Sequence, residues 1–147
     1  MRFASLSRTM SEKIAFELKN NLSEIERLSQ IVTEFGGLNN LSPKVLFAVN
    51  LALEEILTNI ISYGYEDNNE HVIVIRLSLK DEELVAEVED DGRPFNPLEV
   101  PKPDISRPLE DRKIGGLGIH LVRNLMDGLE YRRYGGKNIS VMKKRAM

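Results

Sequence analysis

Glu55 and Asn59 stand four residues apart inside LEEILTNIISYGY, an otherwise apolar stretch. On a helix turning 100° per residue the apolar positions centre on Val49 and Ile56, while Asn50, Glu54 and Thr58 mark the wet side. Glu55 and Asn59 belong to neither set. They follow one margin of the apolar sector beside Ala48 and Ala52, where both side chains project the same way and small neighbours leave room above them. Such a pair is either an ordinary boundary hydrogen bond or a carboxylate and an amide held out to a ligand. Asp90-Asp91-Gly92 follows the apolar run LVAEV and brings carboxylates to a strand end, where a glycine lets backbone approach a ligand. The same residue types also make plain turns. Gly115, Gly116 and Gly118 crowd into IGGLGI just before an amphipathic pattern, which presents the free N–H groups and positive dipole end that attract phosphate. A flexible turn has the same composition. No Gly-Lys-Ser/Thr follows, as a P-loop needs, and no strand directly precedes, as a dinucleotide fold needs. Arg107, Arg112 and Lys113 stand just ahead, either as partners of a terminal phosphate or as solvated loop cations.

Several elements must position these groups. Residues 13–20, KIAFELKN, alternate Ile14, Phe16 and Leu18 on one face and predict a half-buried strand. Ser23 with Glu26 reads as a capping box that opens a helix through Leu28, Val32 and Phe35, stopped by Gly36-Gly37. Ser42-Pro43 supplies an N-cap and a first-turn proline for a second helix running to about Tyr63, before Gly64. Residues 71–80 and 83–90 are alternating, β-branched runs joined by Asp81-Glu82, a hairpin. Prolines at 94, 97, 101, 103 and 108 exclude helix and central strand from the next segment. A loop of that length in a compact domain is usually functional, and residues 93–114 read as a lid. After the glycines come a short helix and a closing hairpin over 129–134 and 138–143 with Gly135-Gly136 at its turn. Strands joined by tight turns pair antiparallel and helices with one apolar stripe cover one sheet face. The expected fold is therefore α+β: a two-layer α/β sandwich with a mixed, mostly antiparallel sheet covered on one face by helices.

The chain has 147 residues, 41% apolar and 29% charged, so residues 13–147 make one domain after a tail over 1–12. No uninterrupted apolar run approaches the ~20 residues of a bilayer span, and the start lacks a signal-like apolar core. The location expected is cytoplasmic. Cysteine is absent, which removes disulfides, thiolate catalysis and cysteine-held zinc. A net charge of −3 supplies no overall field for nucleic acid, so neither a nucleic acid nor a membrane is an expected partner.

The order of these boxes resembles the GHKL superfamily of ATP-binding domains, the gyrase, chaperone, histidine-kinase and mismatch-repair type. Glu55-x-x-x-Asn59 stands as the N box, Asp90-x-Gly92 as G1 and Gly116-x-Gly118 as G2. The stretches LEEILTNIISYGY, VEDDGRPFNP and GGLGIHLVRNLMDGLEY are similar to the bacterial anti-sigma-factor serine/threonine kinases in text as well as spacing. The resemblance implies ATP and Mg²⁺ as ligands. Asn59 would hold the metal, Asp90 would accept from the adenine amino group, and Gly92 would let the base lie close. Gly115, Gly116, Leu117, Gly118 and Ile119 would cradle phosphates, with Arg112 beside them. Glu55 would be the catalytic base toward a substrate serine. Asn138 stands where the family carries a hydroxyl near the adenine, and Arg93-Pro94-Phe95 replaces a smaller turn. His71 and His120 read as structural, and neither is expected to be a phosphoacceptor in a dimerisation helix.

The implied activity is that of a serine kinase and anti-sigma factor that phosphorylates a small anti-sigma-factor antagonist domain. Its implied partners are that antagonist, a sigma factor and, as a homodimer, a second copy. The competing reading is a nucleotide-gated protein-binding module with little or no kinase activity; Glu55 favours the kinase, since binding alone needs no base.

Overall fold

A computed structural model describes residues 13–99 and 116–146. Along the chain come β1 (Lys13–Lys19), α1 (Glu24–Leu38), α2 (Pro43–Tyr63), β2 (Val72–Lys80), β3 (Glu83–Asp90), a single 3₁₀ turn (Pro97–Glu99), α3 (Gly116–Leu125), β4 (Gly128–Tyr134) and β5 (Lys137–Arg145). The strands form a five-stranded sheet in the order β1-β2-β3-β5-β4. Each neighbouring pair is antiparallel, so the sheet expected to be mixed is antiparallel throughout these strands. The β2–β3 hairpin turns on Asp81 and Glu82, both at positive φ (53° and 65°), the backbone a two-residue turn of this twist requires.

Period-two alternation decides which face is covered. Leu18, Ile73, Ile75, Leu77, Leu84, Ala86, Val88 and Met142 point to one side and are sealed beneath the helices. The opposite face carries a grid of ion pairs, Arg76 to Glu87 and Glu89, and Lys137 to Glu89. α2 is the central helix. Ser42 Oγ accepts from Val45 N at 3.2 Å and Pro43 takes the first turn, as the sequence predicts. By length and composition α2 also passes as a membrane span, which the reading of uninterrupted apolar runs did not anticipate. Its apolar residues Val49, Ala52, Leu53, Ile56 and Leu57 are instead buried in the core.

The expectations for α1 fail at both ends. Ser23 makes no side-chain cap; Asn21 accepts from Ser23 N through Oδ1 at 2.9 Å and from Glu24 N through its carbonyl at 2.9 Å. Glu24 Oε2 meanwhile reaches back to Lys19 N at 2.9 Å, tying the helix start to the end of β1. Gly36-Gly37 does not stop the helix, which runs on to Leu38. A Cβ on Gly36 would stand 2.6 Å from Leu46 Cδ1, so this glycine serves close packing of α1 on α2 rather than termination. The proline-rich segment holds a 3₁₀ turn over Pro97–Glu99, one turn of helix where none was expected. The rest of the expected lid, from residue 100 to residue 114, lies outside the described residues, and with it Arg107, Arg112 and Lys113.

Candidate functional site

The C-terminal half of α2, the end of β3 and the start of α3 converge on one edge of the sandwich. The turn after β3 docks on the end of α2: Arg93 N donates to Gly64 O at 2.9 Å and Arg93 Nε to Tyr63 O at 2.7 Å. A Cβ on Gly92 would come within 2.6 Å of Gly64 O. Glycine is required there for backbone to meet backbone, a demand beyond room for a ligand.

Asp90 ends β3 and is only 5% exposed. Its Oδ1 accepts from Gly92 N at 2.8 Å and from Asn138 Nδ2 at 3.0 Å. Among the described residues no bond falls on Oδ2. Burial pushes the Asp90 carboxyl above its ordinary range, while the donors from Asn138 and Gly92 pull it back. Asn138 is 3% exposed, lies opposite Asp90 in the β3–β5 register and opposite Arg133 in the β4–β5 register. Three strands thus set Asp90, Asn138 and Arg133 side by side. Asn138 Nδ2 also donates to Arg93 O at 2.9 Å and Gly92 O at 3.3 Å, and its Oδ1 accepts from Tyr131 Oη and, at 2.9 Å, from Arg133 Nη1. Both amide atoms of Asn138 are thus engaged, and one of its partners is Asp90, the residue expected to meet the base.

The second group gathers around α2 and α3, which pack together. Asn59 is 8% exposed, and its Nδ2 is buried without a partner among the described residues. Leaving an amide donor unpaired costs about 1–3 kcal/mol, which marks a position held for something else. Glu55, one turn earlier and half-buried, lies against the start of α3. A Cβ on Gly118 would fall on Glu55 Oε2. Gly116 and Leu117 open α3, whose first N–H groups have no intrahelical acceptor. Ile119 is fully buried in the core, so only its backbone is available to a ligand. Gly115 and Arg112 lie outside the described residues.

The fit to a metal follows from this donor set. Among the described residues no three His, Asp or Glu side chains gather as a cation site. A half-turn of the Asn59 amide presents its oxygen instead of the unpaired nitrogen, a hard ligand of the kind Mg²⁺ takes together with phosphate oxygens and water. The residues fit a metal that arrives with a nucleotide.

Sequence reasoning missed the supports. Tyr131 and Arg133 emerge only from strand register. His71 stacks on Tyr65 with ring centroids 4.1 Å apart and bridges two carboxylates, Nε2 to Asp67 at 2.8 Å and Nδ1 to Asp91 at 3.2 Å. Carboxylates only accept, so this arrangement favours the doubly protonated imidazolium. The bond to Asp67 raises the His71 pKa and holds the Asp67 carboxyl low. Burial, with the Asp90 and Asp91 carboxylates nearby, pushes the Tyr65 hydroxyl well above its ordinary value. Among the described residues His120 pairs with Asn124 one turn along α3, at 3.2 Å.

Comparison with known proteins agrees with this geometry. The family described as histidine kinase-like ATPase domain matches residues 18–144. The chain is 31% identical over 144 residues to an anti-sigma F factor of Clostridium kluyveri, covering 92% of this chain and 93% of that protein. It is 30% identical over 97 residues to the serine/threonine-protein kinase BtrW of Bordetella bronchiseptica, covering 66% of this chain and 68% of that one. In fold it is similar to the RsbU and RsbW domains of Rv1364c from Mycobacterium tuberculosis, with a TM-score of 0.67 at 13% identity over 90% of this chain and 32% of that longer one. The histidine kinase domain of a blue-light activated kinase from Erythrobacter litoralis follows, with a TM-score of 0.54 at 19% identity over 85% of this chain and 60% of that one. The chain therefore belongs to the histidine kinase-like ATPase family, with relatives named anti-sigma F factor and serine/threonine-protein kinase.

Proposed function

We propose that the chain is an ATP-dependent serine kinase and anti-sigma factor acting in the cytoplasm, which phosphorylates a serine on a small antagonist domain. The observation that carries this reading is the contact of Glu55 with Gly118. It sets a carboxylate beside the start of α3, one turn from a buried amide nitrogen without a partner among the described residues, which supports a base next to bound phosphate. Nucleotide binding alone has no use for a base at that point.

Each residue then has one task. Asp90 accepts from the adenine amino group, with Gly92 letting the turn pack closely, and the first N–H groups of α3 from Gly116 to Ile119 take phosphate oxygens. Asn59 holds Mg²⁺, which when bound neutralises phosphate charge. Glu55 orients the incoming serine hydroxyl and accepts its proton as the serine oxygen bonds to the γ-phosphorus and the bond to the β-phosphate oxygen breaks, leaving phosphoserine and ADP. The relatives named anti-sigma F factor support an antagonist and a sigma factor as the partners.

The test is incubation of the purified chain with Mg-ATP and a candidate antagonist domain, with the label located by mass spectrometry. Phosphate on one serine of the antagonist is expected. Tight nucleotide-dependent association without labelling would replace the kinase with a nucleotide-gated binding module, and absence of any nucleotide binding would end both readings.

A further inference from the structure

The row Asp90, Asn138, Arg133 runs across β3, β5 and β4, with Tyr131 two residues from Arg133 on the same face of β4. Asn138 is a symmetric-looking amide whose two ends do opposite work, so its orientation decides what Asp90 presents. In the observed orientation Oδ1 receives Tyr131 Oη and Arg133 Nη1, and Nδ2 points at Asp90 Oδ1. Turned over, the amide would set its oxygen against the Asp90 carboxylate and the Gly92 and Arg93 carbonyls, and its NH2 would face Arg133, which only donates. Arg133 and those acceptors prevent that turn, and the Tyr131 hydroxyl adds a bond that strengthens the orientation they set.

Resting on the nucleotide site proposed above, we infer that Tyr131 and Arg133, acting through Asn138, are specificity-positioning residues that hold Asp90 as a pure acceptor and so select 6-amino over 6-oxo purines. Asp90 Oδ1 is occupied internally by Gly92 N and Asn138 Nδ2, which leaves Oδ2 for the base. An ionised Oδ2 suits the exocyclic amine of adenine and repels the carbonyl that hypoxanthine or guanine carries at that position. If the Asn138 amide is released, Asp90 loses a donor that keeps it ionised in a site where burial favours the protonated form. A protonated Asp90 offers an O–H, which suits the 6-oxo group. Arg133 adds a second restraint, since Nη1 also donates to Gly92 O at 3.1 Å and fixes the turn that follows Asp90.

The experiment compares ATP with ITP, which differs at the 6-position and lacks the additional 2-amino group of guanine, by competition binding at several pH values. Tyr131→Phe removes one hydroxyl and leaves the ring to pack; it is expected to lower the ATP-to-ITP affinity ratio about threefold to tenfold, the worth of one hydrogen bond. Asn138→Ala is expected to lower it further, and Tyr131→Phe added to Asn138→Ala is expected to change nothing more, because the hydroxyl acts only through the amide. ATP binding by Tyr131→Phe is also expected to weaken toward acid pH more steeply than wild type. Equal loss for ATP and ITP, or additive losses in the double variant, would overturn the inference and make Tyr131 a packing residue. Arg133→Met is expected to lower the ratio as well; should it fail to fold, the Tyr131 and Asn138 pair decides alone. Wild-type protein that binds neither nucleotide would instead remove the site reading on which the inference rests.

Discussion

The two ends of the site are built on opposite plans. On one side of Asp90 the polar groups are matched: Gly92 N and Asn138 bond its Oδ1, and Arg133 and Tyr131 bond Asn138, across three strands, with Oδ2 left open. Around Asn59 they are not, with an amide nitrogen buried and unpartnered among the described residues and a helix start of free N–H groups. A matched network rigidifies and gives selectivity, because a wrong base must break bonds already made. An unmatched one has the capacity to bind, because a ligand satisfies what the protein leaves open. On the proposed reading the base end recognises and the phosphate end reacts.

The sharpest way to break this comparison is at Glu55. Glu55→Gln is expected to leave nucleotide affinity nearly intact while lowering transfer to the antagonist serine by ~10² to 10⁴-fold, the usual contribution of a positioned general base. Glu54 points about 100° away on α2, so Glu54→Ala is expected to transfer normally and serves as the control. A single-turnover assay with labelled ATP reads both, and the reverse pattern would move the active face of α2.

Asp90→Asn tests the other end. It is expected to weaken adenine nucleotides by about 1.5–3 kcal/mol, the range for a hydrogen bond to a charged group, and 6-oxo purine nucleotides by less. Stability has its own sign. A carboxyl whose pKa is raised in the folded state favours the protonated form, so the stability that shift supplies is lost as pH rises through the folded-state value, above which ionised Asp90 opposes folding. The neutral amide still accepts from Gly92 and Asn138, so the melting temperature of Asp90→Asn at neutral pH is expected to match or exceed wild type. Weaker binding with a lowered melting temperature would mark Asp90 as structural.

Asn59→Ala should weaken ATP chiefly in the presence of Mg²⁺. Expected is a drop of roughly tenfold with metal, from loss of one ligand among several, and little change in excess chelator. Calorimetry with and without metal separates the two, and an equal drop in both would detach Asn59 from the metal.

The smallest effect expected is at His71. Its pKa is raised from 6.5 in the folded protein, so its contribution is complete below that value and fades as pH rises through the folded one. The Asp67 carboxyl is held low, so its contribution is present above its unfolded value of 3.8 and fades as pH falls through the folded one. The melting-temperature difference between wild type and His71→Gln should therefore be greatest between the carboxylate and imidazole ranges and shrink toward alkaline pH. A difference independent of pH would reduce the clamp to ring stacking on Tyr65.

Local chemistry determined much of this protein in advance. The Ser42-Pro43 start of α2, the alternation in β1 to β3 and the Asp81-Glu82 turn could be read directly, because each depends on a few consecutive residues. The placement of Glu55 and Asn59 on one margin of α2 was legible for the same reason: helical period is a local property. Where two local devices compete, the text alone misled. Ser23 and Glu26 have the spacing of a capping box, yet Asn21 and Glu24 tie α1 to the end of β1, and Gly36-Gly37 has the composition of a stop, yet Leu46 needs the room beside it. Only the tertiary structure decided that Asn138 bonds Asp90. The Gly135-Gly136 hairpin brings Arg133 and Tyr131 to Asn138 locally, but the bond to Asp90 depends on the pairing of β3 with β5 across 48 positions, which no short window of sequence records. The contact of Glu55 with Gly118 is of the same kind, since 63 positions separate them and the packing of α2 on α3 alone brings them together.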